Sequence, residues 1–449
     1  MSTESEYDGF MYCELPDYEP PSGYALGGLC PIRLGCELGS PPRYRVIAKL
    51  GYGAYSTVWL AHDRVDKRNV ALKIVEARTS SSNELDNLQR LQAPDTEEPR
   101  VVQLLDAFEH TSPNGRHQVL VMEPVYPIDL FWFKDFRPVI TRDALRQTIA
   151  ALAFIRSRGM AHGDIHPGNF GMAVPEVERF SVVDIWNLTG RPKVQVILHT
   201  SHSLGSFPPY LCSKMDLGAF LLSGAPEFMQ RPLSMRILDL GNAYVVGECP
   251  PRANTPIIYA APEVAFACTA LNDLDATWDQ RSDIWSLAVC IYALACYHPI
   301  FKFTYSVLHE MMYYCGEVPD AWREYLRSEP FPDGIVPGPA HADGLWKKTE
   351  QYFSRCHIEN PAGFVRLLRR MMQLDPAKRP TAVELLRDPY FDGLHEHDGG
   401  DVPLLRDVSN VVLRAVYLTG LHKARGALRL VDIPKCGEDG DWQSNTVLE

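Results

Sequence analysis

The chain has 449 residues, of which 46% are hydrophobic and 22% charged. That balance is ordinary for a globular protein and excludes a disordered chain, a collagen-like chain and a small disulfide-stapled scaffold. Lys and Arg total 44 against 56 Asp and Glu, a formal net charge of −12, which argues against direct nucleic-acid binding because phosphates are neutralised by clustered cations. Length alone suggests about three domains.

The first residues, MSTESEYDGF, are acidic and lack an apolar core, so neither a secretory signal nor a mitochondrial presequence fits. The eleven cysteines, scattered from Cys13 to Cys436 with no CxxC pair, read as reduced thiols and point to the cytoplasm or nucleus. Residues 1–43 are rich in Pro, Gly and acidic side chains without periodicity, which predicts an irregular extension. From Arg43 the pattern changes. RYRVIAKLG, STVWLAHD, NVALKIVEA and later HQVLVMEPV are apolar, β-branched runs between turn signals, as expected for antiparallel strands. Among them, SNELDNLQRLQ sets Leu85, Leu88 and Leu91 at helical spacing.

After about Pro127 the pattern turns helical. RDALRQTIAALAFIRSRG carries Leu145, Ile149, Leu152 and Ile155 on one face and stops at Gly159. Residues 281–297, 305–315, 361–373 and 380–388 predict further helices. The longest apolar stretch, Ile284–Tyr297, is too short to cross roughly 30 Å of hydrocarbon and contains Ser286, so it predicts a buried helix and no membrane span. Residues 175–234 read as an irregular insertion. Beyond Asp392, a polar run leads to VSNVVLRAVYLTGL, expected as a docked helix. The expected architecture is α+β: a sheet-rich lobe over 44–125 and a larger helical lobe over 126–392 interrupted by the insertion, flanked by the extension and a tail over 393–449.

Four stretches carry chemistry. LGYGAYSTVWLA places Gly51 and Gly53 between two strands, where bare backbone can fold over phosphates. Lys73 lies in an apolar strand, where an unpaired ammonium would be costly. Glu84 on the following helix is its expected partner, since Asp86 points off that face. In HGDIHPGN, Asp164 can take or orient a hydroxyl proton, and Asn169 can hold a metal ion through its amide oxygen; the plainer alternative is a polar turn. MRILDLGNA ends a strand at Asp239, a second candidate metal ligand. Three further motifs are structural. Glu263 needs a partner, for which Arg379 is suited, and Asp283 can accept N–H bonds from the Asp164 loop.

In this order, the motifs resemble the eukaryotic protein kinase family over about residues 44–392. GGLCPIRLG before the first strand, the phrase DLGNA, and the insertion between the Asp164 loop and Asp239 resemble the SR-protein kinase branch in a divergent fungal form. The resemblance implies a bilobal kinase fold, ATP and Mg²⁺ as cofactors, and Ser/Thr-bearing proteins, Arg/Ser-rich ones among the candidates, as substrates of a monomeric enzyme. It implies Lys73 and Glu84 as the phosphate-anchoring pair, Asp164 as catalytic base, and Asn169 and Asp239 as metal ligands. Leu50, Gly51, Gly53, Ser56, Val58 and Ala71 would bind the nucleotide from the sheet, with Met122, Glu123 and Val125 forming the adenine hinge.

Four departures from the family stand out. His166 replaces the usual Lys and would supply positive charge only when protonated, which predicts turnover falling as pH rises through its pKa. Gly163 replaces an Arg that grips an activation-loop phosphate, which predicts activity without phosphorylation of Thr255. The spacing from Lys73 to Glu84 is short. Tyr297–His309, where the SR-protein kinases carry docking acids, contains no Asp or Glu. Two competing functions are a small-molecule phosphotransferase of the aminoglycoside or choline kinase type, suggested by the HGDIHPGN loop, and a pseudokinase scaffold.

Overall fold

The computed structural model describes residues 10–11, 18–79, 83–92, 100–128, 141–199, 205–224, 233–248, 254–273, 278–296, 298–302, 307–356, 358–393, 435–436 and 442–443. The N-terminal lobe contains β1 (Tyr44–Tyr52), β2 (Ser56–Asp63), β3 (Arg68–Val75), α1 (Glu84–Leu91), β4 (Leu104–Ser112) and β5 (Gly115–Met122). With the short strand Glu37–Leu38 they form one six-stranded sheet in the order Glu37–Leu38, β1, β2, β3, β5, β4, antiparallel throughout. The register sets Val58 and Leu120 either side of Lys73, and Met122 opposite Ala71.

In β3, every residue from Asn69 to Val75 is buried. A strand buried on both faces reads as a nearly continuous apolar run, and NVALKIV is one after Asn69, broken only by Lys73. On its inner face Lys73 pairs with Glu84 of α1, and Asn69 Nδ2 donates to the Val177 and Phe180 carbonyls of the larger lobe at 2.9 and 2.7 Å. Its outer face is covered by segments expected to be irregular. Ile32 and Leu34 from the extension, and Tyr210 and Cys212 from the insertion, join Trp59 and Leu72 in a separate core. The described part of the extension is therefore a packed cover, not a loose arm. Single apolar residues between Pro and Gly turns carry no period, so the sequence pattern conceals it.

The larger lobe contains α2 (Arg142–Ser157), β6 (Phe170–Ala173), α3 (Val182–Thr189), β7 (Val194–Val196), β8 (Tyr210–Cys212), α4 (Leu217–Gly224), β9 (Met235–Ile237), α5 (Pro262–Ala270), α6 (Gln280–Cys296), α7 (Val307–Cys315), α8 (Pro339–Arg355) and α9 (Pro361–Met371). The segment read as irregular thus carries α3, α4 and the β7–β8 ladder; each element has eight residues or fewer, too short to show periodicity. After α2, Gly159 turns the chain in a left-handed conformation (φ 71°), its N–H donating to Arg156 O. The helix expected at 380–388 is shorter, Ala382–Leu385, capped reciprocally by Thr381 and Glu384 and followed by the 3-10 turn Pro389–Phe391. Residues 303–306 and the tail helix expected at 408–421 lie outside the described residues. Among the described residues, no helix is long and apolar enough to cross a membrane.

α6 is buried along nearly its whole length. Above it, Arg379 makes a two-pronged pair with Glu263: Nη1 donates to Oε1 at 2.8 Å and Nη2 to Oε2 at 2.6 Å. The guanidinium also donates to the Gln373, Leu374 and Arg281 carbonyls. Arg379→Ala removes a donor from each of four acceptor groups, leaving Glu263 only the Ser282 hydroxyl, and breaking a buried pair from one side costs about 3–5 kcal/mol. The expected result is a clear fall in the urea midpoint at unchanged slope; a midpoint within 0.2 M (roughly 0.5 kcal/mol) of the parent would contradict it.

Candidate active site

The cleft between the lobes is built by three backbone devices. The β3 strand presents Lys73 at its inner face. The 3-10 turn Pro167–Asn169 follows the Asp164 loop and feeds β6. The β9 strand pairs with β6, Phe170 opposite Ile237, and ends just before Asp239. Leu238 N–H donates to Asn169 O at 2.9 Å, which ties the two loops together. Asp239 has φ 54°, an uncommon conformation for a non-glycine residue and a form of strain that clusters at functional sites.

Lys73 Nζ donates to Glu84 Oε1 at 2.7 Å and to Asp239 Oδ1 at 2.9 Å. Burial pushes its ammonium down, but the Asp239 and Glu84 carboxylates outweigh burial and hold its pKa above the ordinary lysine value. Lys73 keeps Asp239 below the usual carboxylate range. The short spacing from Lys73 to Glu84 is accommodated because α1 starts at Glu84 itself. Asn87, one turn further along α1, donates to the Leu240 and Ala243 carbonyls at 2.9 and 2.7 Å, docking the helix on the chain after Asp239. The sequence reading passed over Asn87. Its signal is an amide three residues after Glu84 on the same helix face.

Asp164 lies within electrostatic reach of both Asp239 and Lys73. Burial first, then repulsion from Asp239, pushes its carboxyl up to about 7. Asn169 Nδ2 donates to Asp164 O at 2.9 Å and lies 3.4 Å from Oδ2, while Asp164 Oδ1 is buried without a hydrogen-bond partner. The loop is fixed from below. Asp283 accepts the His162 and Gly163 N–H groups at 2.8 and 2.9 Å, and burial raises its pKa to about 6. His162 is fully buried and held down to about 4 by burial, so its ring is neutral, contacting Leu238 O through Nε2 and accepting from Asp164 N through Nδ1.

Burial lowers the pKa of His166 below the ordinary histidine value, which disfavours the charged form at neutral pH. Nδ1 accepts the Gly168 N–H at 3.2 Å, which leaves the proton on Nε2, 3.8 Å from Asp164 Oδ1. Because this pKa lies below 6.5, turnover is expected to show no histidine step between pH 7 and 9. His166→Gln, which keeps a neutral donor, is expected to stay within about tenfold of the parent kcat, the value of one neutral hydrogen bond. An alkaline fall in a pH–rate profile that disappears in His166→Lys would overturn this.

The remaining expected nucleotide residues surround the same cleft. Ala71 and Met122 are buried and paired across β3 and β5; Leu50, Val58 and Val125 are half-buried, and Ser56 O accepts the Gly53 N–H at 2.9 Å. Glu123 differs from expectation in one respect. Its carboxylate is taken by Arg236 Nε (2.8 Å) and Gln103 N–H (3.0 Å), and its own N–H donates to Gln103 O. Only its carbonyl remains for a ligand.

A two-lobed fold with this Lys–Glu–Asp cluster at the lobe junction is that of a phosphotransferase of the kinase type. The chain belongs to the protein kinase family: the protein kinase domain profile matches residues 44–178 and 227–391. It is 28% identical over 393 residues to a serine/threonine protein kinase of Aspergillus fumigatus, covering 80% of this chain and 87% of that one. It is 26% identical over 411 residues to the serine/threonine-protein kinase SRPK of Physarum polycephalum (83% and 91%), and 36% identical over 164 residues to protein kinase dsk1 of Schizosaccharomyces pombe (34% and 30%). A crystallised kinase domain shares the fold with a TM-score of 0.51 at 18% identity, over 80% of this chain and 98% of that one. The relatives are serine/threonine kinases, SR-protein kinases among them, and they give no support to the small-molecule phosphotransferase alternative.

Proposed function

We propose that the chain transfers the γ-phosphoryl group of ATP, as its Mg²⁺ complex, to Ser or Thr hydroxyls of protein substrates. The observation that carries this is Lys73 Nζ between Glu84 and Asp239, with burial and Asp239 together raising the pKa of the Asp164 carboxyl. The donor set fits Mg²⁺. Asp239 keeps 47% side-chain exposure beside a nearly buried Lys73 and Glu84, and Asn169 adds an amide oxygen. Among the described residues, no group of three or more His, Cys, Asp or Glu could hold a metal alone. That suits an ion that relies on one or two protein oxygens plus substrate phosphates. When bound, Mg²⁺ would neutralise charge on the phosphates.

The chain's own residues supply the rest. Lys73, held charged and immobile by two carboxylates, grips the nucleotide phosphates. Asp164 orients the acceptor hydroxyl and takes its proton; its raised pKa brings it close to the operating pH, where general-base catalysis is most effective. At Gly51 and Gly53 an added Cβ would meet nothing within 4 Å and neither φ is left-handed, so protein packing does not demand glycine there. A ligand lying close beneath the loop does. Glu123 and Val125 offer backbone groups to the adenine, between Ala71 and Leu50.

The cytoplasm or nucleus is the proposed location, since Cys30, Cys36, Cys212, Cys290, Cys296, Cys315 and Cys356 are free thiols. The test is incubation with Mg-ATP and a degenerate Ser/Thr peptide array, Asp239→Ala serving as control. Phosphorylation by the parent and its loss in the control supports the proposal, and the array reports whether flanking Arg matters. An inert parent, or an equally active control, refutes it.

A further inference from the structure

The glycine-rich loop is held on its outer side by chain that the kinase profile does not match. Residues 213–215 of the insertion lie alongside the end of β1. Lys214 bridges Lys49 in parallel register, and Met215 N–H donates to Lys49 O at 2.7 Å. Lys214 Nζ then sits 4.7 Å from the ring centre of Tyr52, the residue between Gly51 and Gly53. The Lys49 ammonium reaches the same ring at 5.5 Å and the Trp59 ring at 5.0 Å.

Lys49 is itself tied down. Its fully buried side chain pairs with Glu19 of the N-terminal segment, and Tyr24 Oη donates to Glu19 Oε1 at 2.5 Å. The insertion segment is anchored behind by the β7–β8 ladder and by Ser213 N–H donating to Lys193 O at 2.9 Å. Tyr210 Oη accepts the Leu34 N–H at 3.1 Å, joining the two covers to each other. Both flanking segments therefore end on one point, the outer side of the residue that separates the two glycines.

We infer that residues 213–215 form a strap that positions the glycine-rich loop, with Lys214 as its positioning residue and Glu19 as the second tie through Lys49. The strap lowers the mobility of the loop before nucleotide arrives, so less ordering is left to be done on binding. It also makes nucleotide affinity adjustable from outside the catalytic core: anything that pulls the insertion off β1 loosens the loop. This rests on the proposed nucleotide site, and the test separates the two ideas.

Hydrogen exchange of residues 50–56 is measured on the nucleotide-free full chain, for the parent, Lys214→Ala and Lys214→Arg. The strap predicts faster exchange in Lys214→Ala and parental exchange in Lys214→Arg, which keeps a cation over Tyr52. KM for ATP is expected to rise about 3- to 10-fold in Lys214→Ala, the range of one partly desolvated cation–ring contact, with peptide KM and kcat within twofold. Thermal unfolding without nucleotide checks that the alanine variant is folded; global unfolding would be met by the arginine variant, whose exchange must then stay parental. Unchanged exchange in a folded Lys214→Ala overturns the strap whatever the activity. A parent that neither binds nor turns over Mg-ATP overturns the nucleotide site and leaves the exchange result to decide the strap.

Discussion

Asp164→Asn is expected to lower kcat by about 10²–10⁴-fold, the range for removing a positioned general base, with KM for ATP within about threefold because Asp164 does not hold the nucleotide. The same change is expected to stabilise the nucleotide-free protein. An acid whose folded pKa is raised favours folding at low pH and loses that contribution as pH rises through the folded pKa. For Asp164, with an ordinary value of 3.8 and a folded value of about 7, the penalty grows across that interval and is complete above it. The melting temperature of Asp164→Asn should therefore match the parent near pH 4 and exceed it by a few degrees at pH 8. A variant that is inactive but no more stable at pH 8 would mean that Asp164 is not strained by its surroundings.

The second large effect concerns Gly163. Its φ is 74°, and an added Cβ would fall 1.8 Å from Trp278 Cη2, with two more ring atoms within 2.6 Å. The indole cannot yield easily, since its ring packs edge-on against Tyr244 at 4.8 Å and its carbonyl accepts the Tyr244 hydroxyl. Gly163 O accepts Asn242 Nδ2 at 2.9 Å and the Thr255 hydroxyl at 3.0 Å, so the catalytic loop, the chain after Asp239 and the segment near Thr255 all meet at this peptide. Gly163→Ala adds about 1–3 kcal/mol of backbone strain to about 1–3 kcal/mol of overpacking. We expect a melting temperature lowered by several degrees and kcat lowered at least tenfold. Trp278→Ala removes the clash, so the double variant should lose less than the sum of the two singles. Strict additivity would contradict the contact.

On the proposed function, the same junction is expected to stand in for an Arg before Asp164. Hydrogen bonds from Asn242 and Thr255 to Gly163 O hold the Asp164 loop, and the second requires an unmodified Thr255 hydroxyl. Thr255→Glu is accordingly expected to reduce activity, the opposite of a mimic at an activating site.

The residues whose chemistry is costly in an apolar setting were legible in the sequence. Lys73 within a buried strand demands carboxylates; Glu263 demands Arg379; Asp283 demands donors. Each of these pairs is present because an unpaired buried charge is expensive. Trp278 was not legible, because nothing local marks a residue 115 positions away as the reason for a glycine. The downward pull on the His166 pKa was also hidden, since it depends on burial in the folded cleft. The covers over the outer sheet face were missed for a third reason: Ile32, Leu34 and Tyr210 follow the shape of another element, not a period of their own. Their counterpart was visible, in the apolar outer-face residues Val70, Leu72 and Ile74 of β3.

The most direct measurement of the central claim is single-turnover transfer from γ-labelled ATP with Mg²⁺, using bacterially expressed protein verified by mass spectrometry to carry no phosphate. The label should appear on Ser or Thr of an acceptor peptide with the parent, and should be absent or slowed by at least a hundredfold with Asp164→Asn. A parent that stays inert until treated with another kinase, or label transfer that proceeds unchanged without Asp164, would contradict it.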